Sequence, residues 1–226
     1  MSRRRRLLWI HEDSGNPERI YGITPTGRTR TTVDVRGATN RDWEDIALAG
    51  RTIWLGDIGD NGRSRSGIQV YWFREPGPSA SGVTAKVLYL RYEDGRHDAE
   101  ALFVDRRHDT LYIVTKELFR GYGDVYRVNI SDIRDGASRT LRRVGRVPIG
   151  SVTAADLGPQ GIIVKSYTKA LLYPWTSDHR VGSTLSREGC PVTVGGGESI
   201  ALRPSNGRLY AIPEGTSPPI RYSAPT

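Results

Sequence analysis

Short apolar runs of roughly four to seven residues alternate along the whole chain with clusters of Gly, Pro, Asn and Asp, and a helical period persists for no more than one turn, at 131–134. Runs of that length bounded by turn residues predict strands. The stretch 40–61 sets the pattern: Asn-Arg-Asp-Trp-Glu-Asp-Ile-Ala-Leu-Ala-Gly-Arg-Thr-Ile-Trp-Leu-Gly-Asp-Ile-Gly-Asp-Asn. Its two apolar runs, 46–48 and 53–55, predict two buried strands joined by a tight turn. Similar units follow in order. Strands are expected at 7–15, 19–23 and 31–35; at 43–48, 52–55, 68–73 and 86–92; and at 99–104, 110–115, 124–128 and 139–147. The last two groups are 152–157, 161–164, 170–175 and a weak outer strand at 191–194, then 199–202, 208–212 and 220–223, with long turns at 59–67 and 75–82.

The third strand of each group leads into an aromatic residue: Tyr21, Tyr71, Tyr126, Tyr173 and Tyr222 recur at intervals of 50, 55, 47 and 49 residues. Second strands keep the same beat through Trp9, Trp54, Tyr112, Ile163 and Tyr210, at intervals of 45, 58, 51 and 47. Units of roughly 40 to 50 residues with four short strands are the signature of propeller blades. A β-sandwich also has many short strands but demands no common period. The fold class expected is therefore all-β, a β-propeller of about five four-stranded blades forming one domain over 7–226, preceded by a disordered basic tail over 1–6.

First strands line a propeller's channel, and here they carry acids: Asp42-Trp43-Glu44-Asp45, Asp98-Ala99-Glu100, Val152-Thr153-Ala154-Ala155-Asp156 and Gly197-Glu198-Ser199. Period-two alternation sets Glu44, Glu100 and Glu198 at equivalent places around one mouth, with Ala154 leaving a gap in the fourth unit. Loops after the second strands bring His11, Asp13, Asp57, Asp60, Asn61, Lys116, Glu117, Lys165 and Glu214 to that mouth. Hard oxygen ligands converging from several blades suit Ca²⁺ or another divalent cation, so Glu44, Glu100, Glu198 and Asp57 are the candidate metal ligands. His11, Asp13, Asp60, Asn61, Lys116 and Lys165 are the candidate substrate-binding residues, the two lysines favouring an anionic substrate. Each also has a plain structural reading. Inner-strand carboxylates can accept backbone N–H groups of the next blade, Asp57-Ile58-Gly59-Asp60-Asn61 can be turn chemistry, and Trp9, Trp43, Trp54 and Tyr126 can be packing between blades. His97 and His108 read as solvated loop residues.

Charge narrows the partners. The net charge is +8, but residues 3–6 are four consecutive arginines and the remaining basic residues are interleaved with Asp and Glu, so nucleic-acid binding is not expected. No apolar run is long enough for a membrane span. Cys190 is the only cysteine, which excludes an intrachain disulfide. Apolar residues 7–10 fall short of an export signal, so the chain as written is expected in the cytoplasm. No Gly-x-Ser-x-Gly, His-Glu-x-x-His or phosphate-binding glycine loop occurs, and Gly195-Gly196-Gly197 precedes a strand. No organic cofactor is expected.

The runs Trp9-Ile10-His11-Glu12-Asp13-Ser14-Gly15, 38–47, Gly56-Asp57-Ile58-Gly59-Asp60-Asn61, Arg74-Glu75-Pro76, 98–102 and 152–156 resemble motifs of uncharacterised actinobacterial β-propeller proteins, many of them secreted. More distantly the chain is similar to phytase-type calcium-dependent phosphatases and gluconolactonases, through architecture alone. The resemblance implies an opening strand ahead of residue 1, so the first blade is expected to lack its innermost strand and the protein to be secreted if its true start lies upstream. Two functions stay open: a monomeric propeller binding a small molecule, glycan or protein at its loop face, or a divalent-cation-dependent hydrolase of phosphoesters or lactones.

Overall fold

The computed structural model describes residues 1–2, 4–213, 215 and 219–223; Arg3 of the tail and Glu214 of the mouth loops lie outside them. Strands follow the chain from inside to outside in each blade. The first blade holds β1 (Leu8–His11), β2 (Arg19–Ile23) and β3 (Thr29–Arg36), all antiparallel. The second holds β4 (Trp43–Ala49), β5 (Thr52–Asp57) and β6 (Ile68–Arg74). From there the chain crosses back to add the short β7 (Gly82–Thr84) parallel to β3, and returns as β8 (Lys86–Tyr92). The third blade comprises β9 (Ala99–Asp105), β10 (Thr110–Thr115), β11 (Gly123–Asn129) and β12 (Ala137–Val147). The fourth holds β13 (Val152–Gly158), β14 (Gly161–Ser166), β15 (Ala170–Pro174), a helix α1 (Val181–Leu185) and β16 (Cys190–Pro191). The fifth holds β17 (Ala201–Leu202), β18 (Leu209–Ala211) and β19 (Arg221–Ser223).

β7 begins where the expected turn 75–82 ends, at a place where no strand is expected, and α1 is a helical turn in a chain without helical period; its Val181, Thr184 and Leu185 are buried. Both take their conformation from what they pack on, not from local preference. The outer strands β8 and β12 pair in parallel, which joins blades two and three into one eight-stranded sheet.

The core is a ring of apolar seams, one between each pair of neighbouring blades. Trp9, Ile20, Trp43 and Tyr71 fill the seam of blades one and two. Trp54, Leu102 and Tyr126 fill the next, and Phe103, Tyr112 and Tyr173 the one after. Ala154, Ile163 and Leu209 join blades four and five, and Leu8, Ile23 and Tyr210 close the ring from five to one. Burying each aromatic removes roughly 150–250 Å² from water, so these seams carry most of the drive to close. The recurring tyrosines serve this end at Tyr71, Tyr126 and Tyr173; Tyr222 stands 65% exposed. His97 is not solvated as its loop position suggests: it packs on Tyr92 and Tyr126 and bonds Asp94.

Candidate functional site

The inner strands enter the channel with a bulge at their second residue. Register slips between Trp43 and Asp45 in β4, beside Glu100 in β9, and between Val152 and Ala154 in β13. A bulge leaves one residue without a partner and re-aims its side chain. The bulged residues are Glu44, Glu100 and Thr153. Thr153, and not Ala154, is therefore the equivalent in the fourth blade, and its buried hydroxyl has no hydrogen-bond partner among the described residues.

Glu44 lines the mouth and makes no hydrogen bond among the described residues. Oxygens of Asp13, Asp42 and Glu44 all lie within 4.8 Å of one another. Burial first, then the neighbouring charges of Glu100, Asp42, Asp13 and Asp98, push the Glu44 carboxyl up to about 10. Asp42 is raised for the same reasons, burial leading and Asp13 and Asp98 adding to it. Gly59 closes over the pair: a Cβ there would stand 2.3 Å from carboxylate oxygens of both Asp42 and Glu44. Its N–H donates to the Asp42 carbonyl at 3.2 Å.

The other predicted residues are partly committed. Lys116 forms a salt bridge to Glu100 and lies 5.4 Å from the Tyr167 ring centroid. Burial lifts the Glu100 carboxyl to about 7 against the pull of Lys116, and Glu198 stands near enough to add to that rise. Lys165 is buried and donates to the carbonyls of Ser166 and Gly197; burial lowers it to about 8 despite Glu198 nearby. Neither lysine points a free ammonium into the mouth. Asp57 accepts Arg65 Nη1 at 2.9 Å and the Asp42 N–H at 3.0 Å. Asp60 accepts the N–H groups of Ser64 and Arg65 at 2.8 and 2.9 Å, and its own N–H donates to Asp98 at 2.8 Å. That loop is thus a self-bonded turn locked by Arg65, with Asn61 exposed at its tip. His11 stacks edge-on against Trp43 with centroids 6.1 Å apart, and burial lowers its pKa.

Asp42 and Asp98 are mouth residues that the candidate set lacked, yet the repeated Asp-x-Glu spacing in Asp42–Glu44 and Asp98–Glu100 marks them. Deeper on the axis, Asp45 is 8% exposed and accepts N–H groups from Ile46 at 2.8 Å, Leu102 at 2.8 Å and Ala155 at 3.5 Å. It ties blades two, three and four, and burial outweighs these bonds to lift its carboxyl to about 8. Asp156 repeats the device, accepting Leu157 and Leu202 N–H groups at 2.7 Å. The interblade role open to inner-strand carboxylates falls to these aspartates. Beside the mouth, along β1, opens a cavity of about 960 Å³.

The strand order and the five apolar seams define an all-β propeller. No protein-family model and no curated protein matches the chain. Among solved structures it is similar to the PQQ-bound form of aldose sugar dehydrogenase from Streptomyces coelicolor, at 8% identity, 96% of this chain and 90% of that one covered, and a TM-score of 0.49. Hydrazine synthase of Kuenenia stuttgartiensis follows at 13% identity, 91% and 70% coverage, and a TM-score of 0.43. The Dos1 propeller follows at 9% identity, 85% and 59% coverage, and 0.40. Likenesses this distant supply no activity. Among the described residues no helix is long and apolar enough to cross a membrane.

Proposed function

We propose that the protein is a ligand-binding propeller whose acidic mouth receives a positively charged group. The observation that carries this reading is the crowding of Asp13, Asp42 and Glu44, beside Asp98 and Glu100, where Lys116 answers only the last. A buried carboxyl crowded by other acids gives up its proton only where a positive charge compensates it, and a cation brought by a ligand supplies that charge. An ammonium or guanidinium group suits Glu44 through charge-assisted hydrogen bonds. A divalent ion is the second occupant considered, favoured by the three oxygen ligands that Asp13, Asp42 and Glu44 hold within 4.8 Å. The charge of Glu100 acts on Glu44, that of Glu198 acts on Glu100, and Asp57 accepts the Asp42 backbone N–H. The resemblance to actinobacterial propellers of no settled activity lends no substrate, so the ligand class is drawn from the mouth alone.

Calorimetric titration of the folded protein with lysine amide, and separately with Ca²⁺, Mg²⁺ and Mn²⁺, tests the reading. Saturable heat with any of them, abolished in Glu44→Gln, supports it. Absence of heat from all four overturns it.

A further inference from the structure

The loop 116–122 between β10 and β11 carries two adjacent apolar side chains in solvent: Leu118 is 54% exposed and Phe119 99% exposed. A lone exposed leucine needs no explanation, but a phenylalanine standing wholly in water beside one marks a contact surface. The base of the loop is fixed. Lys116, which opens it, is paired with Glu100, so the tip stands on the mouth side of the third blade. The Lys116 N–H donates to the Asp98 carbonyl at 2.9 Å, and the Ser151 N–H donates to the Glu117 carbonyl at 3.1 Å. Gly150 lets the two chains pass at close range, since a Cβ there would stand 1.9 Å from the Arg120 carbonyl oxygen. Held on both sides in this way, the loop keeps its apolar tip out of the core.

A collar of arginines surrounds the tip. Arg120 follows Phe119 directly and donates to the Tyr122 hydroxyl at 2.8 Å. Arg146 lies over the Tyr122 ring, 4.2 Å from its centroid, and pairs with Asp124, as Arg143 does. Arg63 reaches in from the second blade to Glu117 at 2.9 Å, and Arg120 stands 4.0 Å from the same carboxylate. All four arginine side chains are about half exposed, whereas Glu117 and Asp124 are buried. Four cations thus answer two carboxylates set below them, and the surface around the tip keeps an excess of positive charge. The exposed acids Glu12 and Asp13 belong to the first blade, and Asp94, on the loop before β9, is engaged by Tyr126 and His97.

We propose that this loop docks the protein on an anionic lipid surface, with Leu118 and Phe119 entering the headgroup boundary and Arg63, Arg120 and Arg146 meeting lipid phosphates. The inference is independent of what the mouth binds. A fluid bilayer boundary accepts a convex apolar tip without a preformed pocket, whereas a protein partner needs a cleft shaped to receive it. Guanidinium groups pair with phosphate oxygens through two parallel hydrogen bonds, and Tyr122, lying between two of them, is of the type that settles at lipid headgroups. Two apolar side chains and a few arginines form a weak anchor. Docking is therefore reversible and sensitive to salt.

Co-sedimentation of the full chain with vesicles of equal parts phosphatidylcholine and phosphatidylglycerol tests the proposal. Saturable binding is expected, and vesicles of phosphatidylcholine alone should bind at least about fivefold more weakly, the worth of one arginine at an anionic surface. Leu118→Ser combined with Phe119→Ser should weaken binding at least about tenfold. Both side chains stand in solvent, so the melting temperature of this paired variant should match wild type, which separates lost docking from lost folding. Arg120→Gln should weaken binding about fivefold. No binding to the mixed vesicles, equal binding to both kinds of vesicle, or full binding by the paired variant overturns the proposal. Binding to soluble polyglutamate in preference to the vesicles overturns it as well, and marks the collar as a site for an acidic protein.

Discussion

Replacing Asp45 by Ala removes a carboxylate that three blades share. Its oxygens accept N–H groups at 2.8 Å from Ile46, 2.8 Å from Leu102 and 3.5 Å from Ala155. Each buried donor left without an acceptor costs about 1–3 kcal/mol, and the longest of the three contacts counts least. Against this stands the relief of no longer burying an acid that its surroundings hold at about 8. The net expectation is a loss of about 2–4 kcal/mol, a large share of the roughly 5–15 kcal/mol that keeps a domain folded. Asp45→Asn keeps one acceptor oxygen and should cost about half as much. Urea unfolding reads both; with a slope near 3 kcal/mol/M, the alanine variant's midpoint falls by about 1 M. The pH dependence is a second reading of the same residue. Because its folded pKa lies above the ordinary value, the native state holds a proton that the unfolded state has released between about pH 4 and pH 8. Wild-type stability therefore falls as pH rises through that window, and the deficit of the alanine variant shrinks with it. A midpoint within about 0.2 M of wild type, or a deficit that grows with pH, refutes the reasoning.

Further expectations concern the loop that shapes the mouth. Arg65→Met leaves the buried Asp57 without its cationic partner and strips a donor from the Gly59 carbonyl; a loss of about 3–5 kcal/mol is expected by urea unfolding. Gly59→Ala sets a methyl group where the Asp42 and Glu44 carboxylates stand, and these ends can swing aside, so stability should change by less than about 1 kcal/mol. Binding of lysine amide by the same variant should weaken at least fivefold in calorimetry. Lys116→Met removes the partner of Glu100, so the midpoint at pH 8 should fall below that at pH 5 by more than in wild type, as that carboxyl's pKa rises further.

Much of the fold could be read from the chain because its signals are local and repeated. The bounds expected for 19–23, 86–92 and 110–115 coincide with β2, β8 and β10, each an apolar run closed by turn residues. Trp9, Trp54 and Tyr112 are buried at the seams, as their shared beat implies. The parallel pairing of β8 with β12 left no trace, since it depends on how two blades lean together and not on either strand's pattern. The mouth was legible in part. Alternation points to Glu44 and Glu100 but carries no sign of the bulges that aim them, so in the fourth blade it points to Ala154 where the bulged residue is Thr153. Asp57 looks like a ligand in sequence, because nothing there shows Arg65 folding back onto it from eight residues away. The role of Asp45, adjacent to Glu44, has no local signal for the same reason: its partners Leu102 and Ala155 are distant in the chain.

The most direct test of the acidic mouth is proton release. At pH 7 the Glu44 carboxyl, held at about 10, is protonated, and a cation that binds against it must expel that proton. Titrating lysine amide in two buffers of different ionisation enthalpy measures the number released. Release of close to one proton per bound cation, lost in Glu44→Gln, is the predicted result; binding heat that is the same in both buffers contradicts it.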